Sequence, residues 1–129
     1  MRKQYYFRRS DRGLLAWDVD RLVALSRDFP IRQMPLTEIH ELEEPFSSEF
    51  DQSPTWKSMV EHIQLIESAD LSFPIILSSE GRVMDGMHRV IKALLTGRAT
   101  IDAVQFRSDP EPDYIDVDPS RLPYDELVP

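Results

Sequence analysis

The spacing of apolar residues predicts two amphipathic helices in the first half of the chain. The first is capped by Asp18 and ends before Pro30, because apolar positions recur on one face of residues 19–26. The second begins at the Ser53-Pro54 pair, which combines a cap residue with a first-turn proline, and it runs to about residue 68. Its apolar positions follow at helical spacing: Trp56, Met59, Val60, Ile63 and Ile66.

Short apolar runs and turn residues predict strands in the second half. Residues 73–77 form a compact apolar strand, 78–81 a turn, and 82–84 a second short strand. A third helix then occupies 88–95. Residues 100–106 are predicted to be the last strand, which closes the core.

The remaining segments are less periodic. Residues 31–39 are predicted to be extended, and 38–51 to be an acidic loop or a broken helix. A chain of 129 residues with 41% apolar residues can bury one core, which we place in residues 1–108. Residues 109–129 hold five of the ten prolines and seven acids, and they are predicted to be a tail.

The tail also contains apolar residues, so we expect it to lie extended across the domain or across a partner subunit. The partner would then be a second copy of the chain or another protein. We expect the tail to be dispensable for folding, because its apolar residues are too spread out to form a core.

Composition removes several kinds of chemistry. The chain has no cysteine, which excludes disulfides, thiolate metal sites and a cysteine nucleophile. It contains no apolar run approaching the roughly 18 residues that a membrane helix requires. Since its first residues also lack a secretory apolar stretch, a cytoplasmic location is predicted.

The net charge of -8 argues against a nucleic-acid partner, because binding a phosphate backbone requires a basic surface. The charge alternates along the chain, with net basic segments at 1–35 and 71–107 and net acidic segments at 36–70 and 108–129. In the first basic segment, arginines stand beside Tyr5, Tyr6 and Phe7. Such a segment could contact RNA or a phosphate ligand, or it could dock onto the protein's own acidic segments.

The most informative motif is the run from Asp85 to Arg89, in which a glycine joins a predicted strand to a predicted helix. A helix start presents free backbone N–H groups and a positive dipole end, so an anion can bind there. We expect Gly86 to let the anion approach, Arg89 to donate two hydrogen bonds to it, and His88 to donate one.

Asp85 could orient His88 or Arg89, bind a magnesium ion on the phosphates, or act as a base. The ordinary alternative is a capped turn with His88 and Arg89 exposed on an unremarked helix. His40 is expected to be structural or exposed, and so is His62, because no second histidine stands at metal-ligand spacing.

The order of elements around this motif resembles the ParB/sulfiredoxin superfamily, closely over residues 74–106 and loosely over 31–106. The resemblance implies an α/β (α+β) single-domain fold, in which a small mixed sheet is flanked by helices. It also implies that Gly86, His88 and Arg89 hold nucleotide phosphates. Sulfiredoxin has its catalytic cysteine where this chain has Met87, so sulfinic acid reduction is excluded and Met87 is expected to line the pocket. ParB-type partition proteins carry additional domains for which 129 residues leave no room.

Within that superfamily, the Asp-Gly-x-His-Arg turn is similar to that of the ADP-dependent free serine kinases. The similarity implies that Glu43 or Glu44 takes the place of the catalytic acid, although the histidine preceding the acids in that family is Leu42 here. The leading hypothesis is a protein that binds a nucleotide (ATP, ADP or CTP), with magnesium, and transfers a phosphoryl group with the help of Glu43, Glu44 or Asp85. The alternative is a noncatalytic nucleotide-binding module that regulates a protein partner. A nuclease comes third, because the net charge argues against it.

Overall fold

The structure, a computed structural model, describes residues 3–45 and 55–125. This part of the chain forms two sheets and three helices, which confirms the mixed α/β (α+β) class. The elements are β1 (Tyr5–Ser10), β2 (Gly13–Asp18), α1 (Val19–Ser26), β3 (Arg32–Pro35), α2 (Trp56–Ser68), β4 (Ile75–Leu77), β5 (Val83–Asp85), α3 (Met87–Leu95), β6 (Thr100–Gln105) and β7 (Tyr114–Ile115).

A mixed four-stranded sheet in the order β3-β6-β4-β5 lies at the centre. Strands β4 and β6 are parallel and the other two pairs are antiparallel, so α3 forms part of the connection between the parallel strands. Alternate residues of β4 point to opposite faces of the sheet. Ile75 and Leu77 join Val90 of α3 in one core cluster, whereas Ile76 packs in another cluster with Trp17 of β2. The sheet is therefore covered on both faces.

An antiparallel sheet in the order β1-β2-β7 was not anticipated as a unit. Its hairpin closes at Gly13, where φ is 100° and an added Cβ would stand 2.6 Å from the Asp116 carboxylate. Gly13 therefore accommodates both a tight turn and the close approach of the C-terminal segment.

The C-terminal segment lies across its own domain over the residues the structure describes. It supplies β7, its Pro110 carbonyl accepts a hydrogen bond from the Trp17 indole at 2.8 Å, and Leu122 is 5% exposed. The Asp113 carboxylate accepts a hydrogen bond from the backbone N–H of Asp18 at 2.8 Å. These contacts oppose the expectation that residues 109–129 are dispensable for folding. A protein partner for the tail stays a prediction.

The basic N-terminal segment is paired with acidic residues of the same chain. Lys3 contacts Asp18 at 2.9 Å, and Arg8 contacts Asp109 at 3.0 Å. Of the two roles considered for this segment, docking onto the protein's own acidic residues is therefore observed. Of these two pairs, the one between Arg8 and Asp109 joins the N-terminal strand to the C-terminal segment.

Helix α2 contacts the domain through a face other than the apolar face predicted from its sequence. The Thr55 hydroxyl accepts from the N–H of Ser58 while the Ser58 hydroxyl accepts from the N–H of Thr55, forming a capping box. The predicted Ser53-Pro54 start lies outside the described residues. The predicted apolar face is largely exposed, reaching 85% at Trp56, since the helix instead turns His62 and its C-terminal carbonyls toward α3. No helix in the described ranges is long and apolar enough to cross a membrane.

The extended segment predicted over residues 31–39 is shorter than expected, because β3 ends at Pro35. Two 3-10 turns, Leu36–Glu38 and His40–Glu43, replace the end of the extended segment and the start of the acidic loop. They form because Leu36 and Ile39 are drawn into the core, where they are 5% and 2% exposed. The rest of the predicted acidic loop, from residue 46 to 51, lies outside the described residues.

Candidate functional site

The turn between β5 and α3 is built around Gly86. Its φ of 108° is left-handed, and an added Cβ would stand 2.7 Å from Cγ2 of Ile75. Glycine is therefore demanded by the backbone and by packing against β4. We expected Gly86 to make room for an anion, but the missing Cβ would point at the strand, so its observed role is to shape the turn.

The start of α3 has backbone donors available for a ligand. The N-cap residue is Gly86, and no side chain in the described part of the chain caps the helix. The N–H groups of Met87, His88 and Arg89 consequently have no partner within the helix. They lie at the positive end of the helix dipole, so a negatively charged group is favoured there.

Arg89 is committed to the protein more than the motif suggested. One terminal nitrogen donates to the carbonyls of Phe73 and Pro74 at 3.1 Å each, and the other donates to the Asp85 carboxylate at 2.8 Å. The Arg89 and Asp85 side chains are only 16% and 18% exposed. Since a guanidinium has five N–H donors, two remain for a ligand. Of the roles considered for Asp85, orienting Arg89 is the one the geometry displays.

His88 lies half-buried beside the turn and contacts a histidine of α2. Its Nε2 is 3.2 Å from Nδ1 of His62, and the ring centroids are 5.5 Å apart. Burial lowers the pKa of His88, and His62 lowers it further, while Asp85 acts in the opposite direction. His88 is therefore neutral at pH 7 in the absence of a ligand. Both His88 and Arg89 are partly buried, unlike the exposed residues of an ordinary capped helix.

Glu44, one of the three carboxylates proposed for phosphoryl transfer, lies at the end of β5 opposite the turn. Glu44 forms a bidentate ion pair with Arg82 at 2.7 and 2.9 Å, which lowers the pKa of Glu44. Glu43 is exposed. No hydrogen bond or ion pair within the described ranges joins either glutamate to Asp85 or His88. The structure therefore brings together residues 85–89 but does not join Glu43 and Glu44 to them.

Glu41 was missed by the sequence analysis. Its side chain is 12% exposed, and Oε2 accepts a hydrogen bond from the N–H of Val83. The other oxygen is buried without a hydrogen-bond partner in the part of the chain that the structure describes. This carboxylate holds the His40–Glu43 turn against the start of β5. The available signal was the position of Glu41 between Ile39 and Leu42, which both face the core.

Met87 lines the turn on its core side, where it packs against the apolar cluster beneath α3. No group of three His, Asp or Glu residues in the described ranges could hold a metal ion. The expected magnesium ion would be held in part by oxygens of the bound phosphates, so its binding stays a prediction.

An open depression of about 700 Å³ lies away from the turn, at the C-terminal ends of α2 and α3. Lys92 in its wall donates to the carbonyls of Glu67 and Ala69, at 2.8 and 2.7 Å, and so completes the end of α2. This depression is open and formed by solvated side chains, so we place the candidate site at the turn.

No family model, curated protein or solved structure matches this chain. The similarity to the ParB/sulfiredoxin superfamily accordingly remains a prediction drawn from the residues themselves. What the site does has to be argued from its own geometry.

Proposed function

We propose that this protein binds a nucleotide through a phosphate group at the start of α3, and that it acts as a noncatalytic module. The observation that carries the proposal is the uncapped N-terminus of α3, flanked by His88 and by the two remaining donors of Arg89. Backbone N–H groups at a helix start, together with charge-assisted side-chain donors beside it, favour a phosphate. The ATP, ADP or CTP expected from the sequence fits this chemistry, and a cytoplasmic location is part of the proposal.

In this proposal each residue of the turn has a separate task. Gly86 sets the direction of the first N–H groups, and Met87 holds the start of α3 against the apolar core. Asp85 and the carbonyls of residues 73 and 74 hold Arg89 in one orientation, so little side-chain entropy is lost when a ligand binds. His88 supplies a further donor.

Binding is preferred to phosphoryl transfer because two of the three candidate acids are held in ion pairs. The ion pair with Arg82 lowers the pKa of Glu44 and makes it a weaker base, whereas Asp85 is held in place by Arg89. Transfer remains the second candidate, since Asp85 stands directly beside the turn. Incubation with magnesium, ATP or ADP, and serine or another small hydroxyl compound tests it. Turnover that Glu43→Gln or Asp85→Asn abolishes would replace the module with an enzyme.

A thermal-shift panel of nucleotides tests the binding proposal. A ligand present at about 100 times its dissociation constant stabilises the folded state by about 2.7 kcal/mol. We expect at least one nucleotide to raise Tm in the wild type and in Met87→Leu, which conserves volume and apolar character. We expect His88→Ala to lose most of that shift.

Arg98→Ala is the matched control, because Arg98 is an exposed basic residue just beyond the far end of α3. It should keep the ligand-induced shift. If Arg98→Ala weakens binding as much as His88→Ala does, the ligand lies at the other end of the helix and the proposal is wrong. Failure of every nucleotide and of inorganic tripolyphosphate to change Tm would also reject it.

A further inference from the structure

A ring-to-ring hydrogen bond joins α2 to α3 beside the proposed phosphate site. Nδ1 of His62 and Nε2 of His88 are 3.2 Å apart, and the two rings are inclined at 43°. One hydrogen fits between two nitrogens at this distance, so one ring donates and the other accepts. The contact can exist when both rings are neutral or when one is protonated. It cannot exist when both facing nitrogens carry hydrogen.

The relative placement of the two rings is fixed by a second contact. Lys92, one turn further along α3 than His88, donates to the carbonyls of Glu67 and Ala69 at the end of α2. Two contacts therefore hold α2 alongside α3, with the chain running in the same direction in both helices. His62 is consequently held beside the first turn of α3 by more than the histidine contact itself.

We propose that His62 positions His88 by accepting the hydrogen on its Nε2, so that phosphate binding at this turn is accompanied by uptake of one proton on His88. The inference rests on the proposed function and adds to it a dependence on pH. The proton comes from solvent and completes an imidazolium at His88. Nε2–H of His88 then donates to Nδ1 of His62, which leaves Nδ1–H for a phosphate oxygen. As the acceptor in this contact, Nδ1 of His62 carries no hydrogen of its own.

The charges around His88 explain why the proton arrives with the ligand. Among the residues that the structure describes, the groups that act on it are His62 from α2 and Asp85 from the end of β5. The charge of Asp85 is compensated by Arg89, on the helix of His88 itself. Without a ligand, burial holds the pKa of His88 below its ordinary value. A bound phosphate adds negative charge close to the ring, which favours the imidazolium.

Proton uptake can be measured by titrating the full chain with inorganic tripolyphosphate in a calorimeter at pH 7.2. Buffers with different ionisation enthalpies give the number of protons taken up per ligand. We expect about 0.5 to 1 for the wild type, with affinity falling by up to about tenfold per pH unit above pH 7. Uptake is counted after subtracting the protons that tripolyphosphate itself exchanges at this pH, a contribution that is the same for every variant.

Two variants of His62 separate positioning from a general structural effect. His62→Asn places an amide oxygen near the position of Nδ1 and should keep most of the uptake. His62→Phe keeps a ring but removes the acceptor, so uptake should fall below about 0.2 and affinity by about tenfold, which corresponds to about 1.4 kcal/mol. His40→Phe, at an exposed position of the turn His40–Glu43, is the matched control and should behave as the wild type.

Binding by the wild type with uptake below about 0.2 would overturn this inference and leave the proposed function intact. Equal uptake in His62→Phe and the wild type would do the same, because His62 would then have no part in it. If tripolyphosphate binds at no pH between 5.5 and 8, both this inference and the proposed function are overturned. Circular dichroism of each variant confirms that the comparison is made on folded protein.

Discussion

The ion pair between Asp85 and Arg89 makes a measurable prediction about the turn. Replacing Arg89 with alanine removes a bond to a carboxylate at 2.8 Å and two bonds to carbonyls at 3.1 Å. It also leaves the Asp85 carboxylate, 18% exposed, without its cation. Bonds with a charged partner contribute about 1.5–3 kcal/mol each, and three bonds that share one guanidinium are not additive. We therefore expect Arg89→Ala to lower the free energy of unfolding by about 3 kcal/mol.

A double-mutant cycle isolates the pair itself. The free energy of unfolding is measured by urea denaturation, followed by circular dichroism, for the wild type, Asp85→Ala, Arg89→Ala and the double variant. We expect the double variant to be less destabilised than the sum of the single variants by about 1–2 kcal/mol, because the second substitution removes a partner already lost. Arg98→Ala, an exposed change just beyond the same helix, should cost less than about 0.5 kcal/mol.

Two outcomes would refute this reasoning. A coupling below about 0.3 kcal/mol would show that Asp85 and Arg89 do not stabilise one another, since contacting residues normally couple by more than this. A loss for Arg89→Ala no greater than that for Arg98→Ala would show that the carbonyl contacts are also unimportant. If the prediction holds, reduced ligand binding by Arg89→Ala has to be corrected for the unfolded fraction before Arg89 is assigned a role in binding.

Three other predictions concern the glycine, the tail and pH. Gly86→Ala should lower the free energy of unfolding by at least about 1 kcal/mol more than Gly97→Ala, as measured by thermal unfolding. Both positions have positive φ, but of the two only Gly86 has neighbouring atoms that an added Cβ would meet. Equal losses would contradict the packing argument. Deleting residues 109–129 should lower the free energy of unfolding by at least about 3 kcal/mol, since a strand, several hydrogen bonds and a buried leucine are lost. The deletion should also expose Trp17, which is seen as a red shift of its fluorescence. An unchanged Tm would restore the view that the tail is dispensable. Because the pKa of His88 is lowered in the folded state, the unfolded chain binds the proton more readily. The stability that His88 contributes should therefore be fully present above about pH 6.5 and decline as the pH falls below it. His88→Gln should flatten this decline in urea titrations between pH 5 and 7.5, and an identical decline would exclude His88 as its source.

Local signals were sufficient to predict helices α1 and α3. The cap at Asp18 and the bounds of α1 agree with the sequence pattern, because the Asp18 carboxylate accepts from the N–H of Asp20 and a short apolar face follows. Helix α3 begins at Met87, one residue before the predicted start, since Gly86 itself serves as the N-cap. These features depend on residues that are close in sequence.

Long-range contacts explain what the sequence analysis missed. The β1-β2 hairpin had a usable signal in the Asp-Arg-Gly turn at 11–13, but its third strand comes from about 100 residues further along the chain. The contact between His62 and His88 depends on how α2 lies against α3, and no spacing within one helix reveals it. The apolar face of α2 shows the same limit, because helical periodicity identifies a face without saying what it contacts.

Charge pairing within the chain also bears on the kind of anion that the turn can bind. Several basic side chains are committed to carboxylates of the same protein: Lys3, Arg8, Arg21 and Arg82. A nucleic acid is bound by many basic side chains that displace counterions, and a protein with a net charge of -8 whose cations are paired in this way offers few of them. A single phosphate group needs only the backbone donors of one helix start and one or two side chains held in place. On this argument, the anion that we propose for the start of α3 is a small one rather than a nucleic acid.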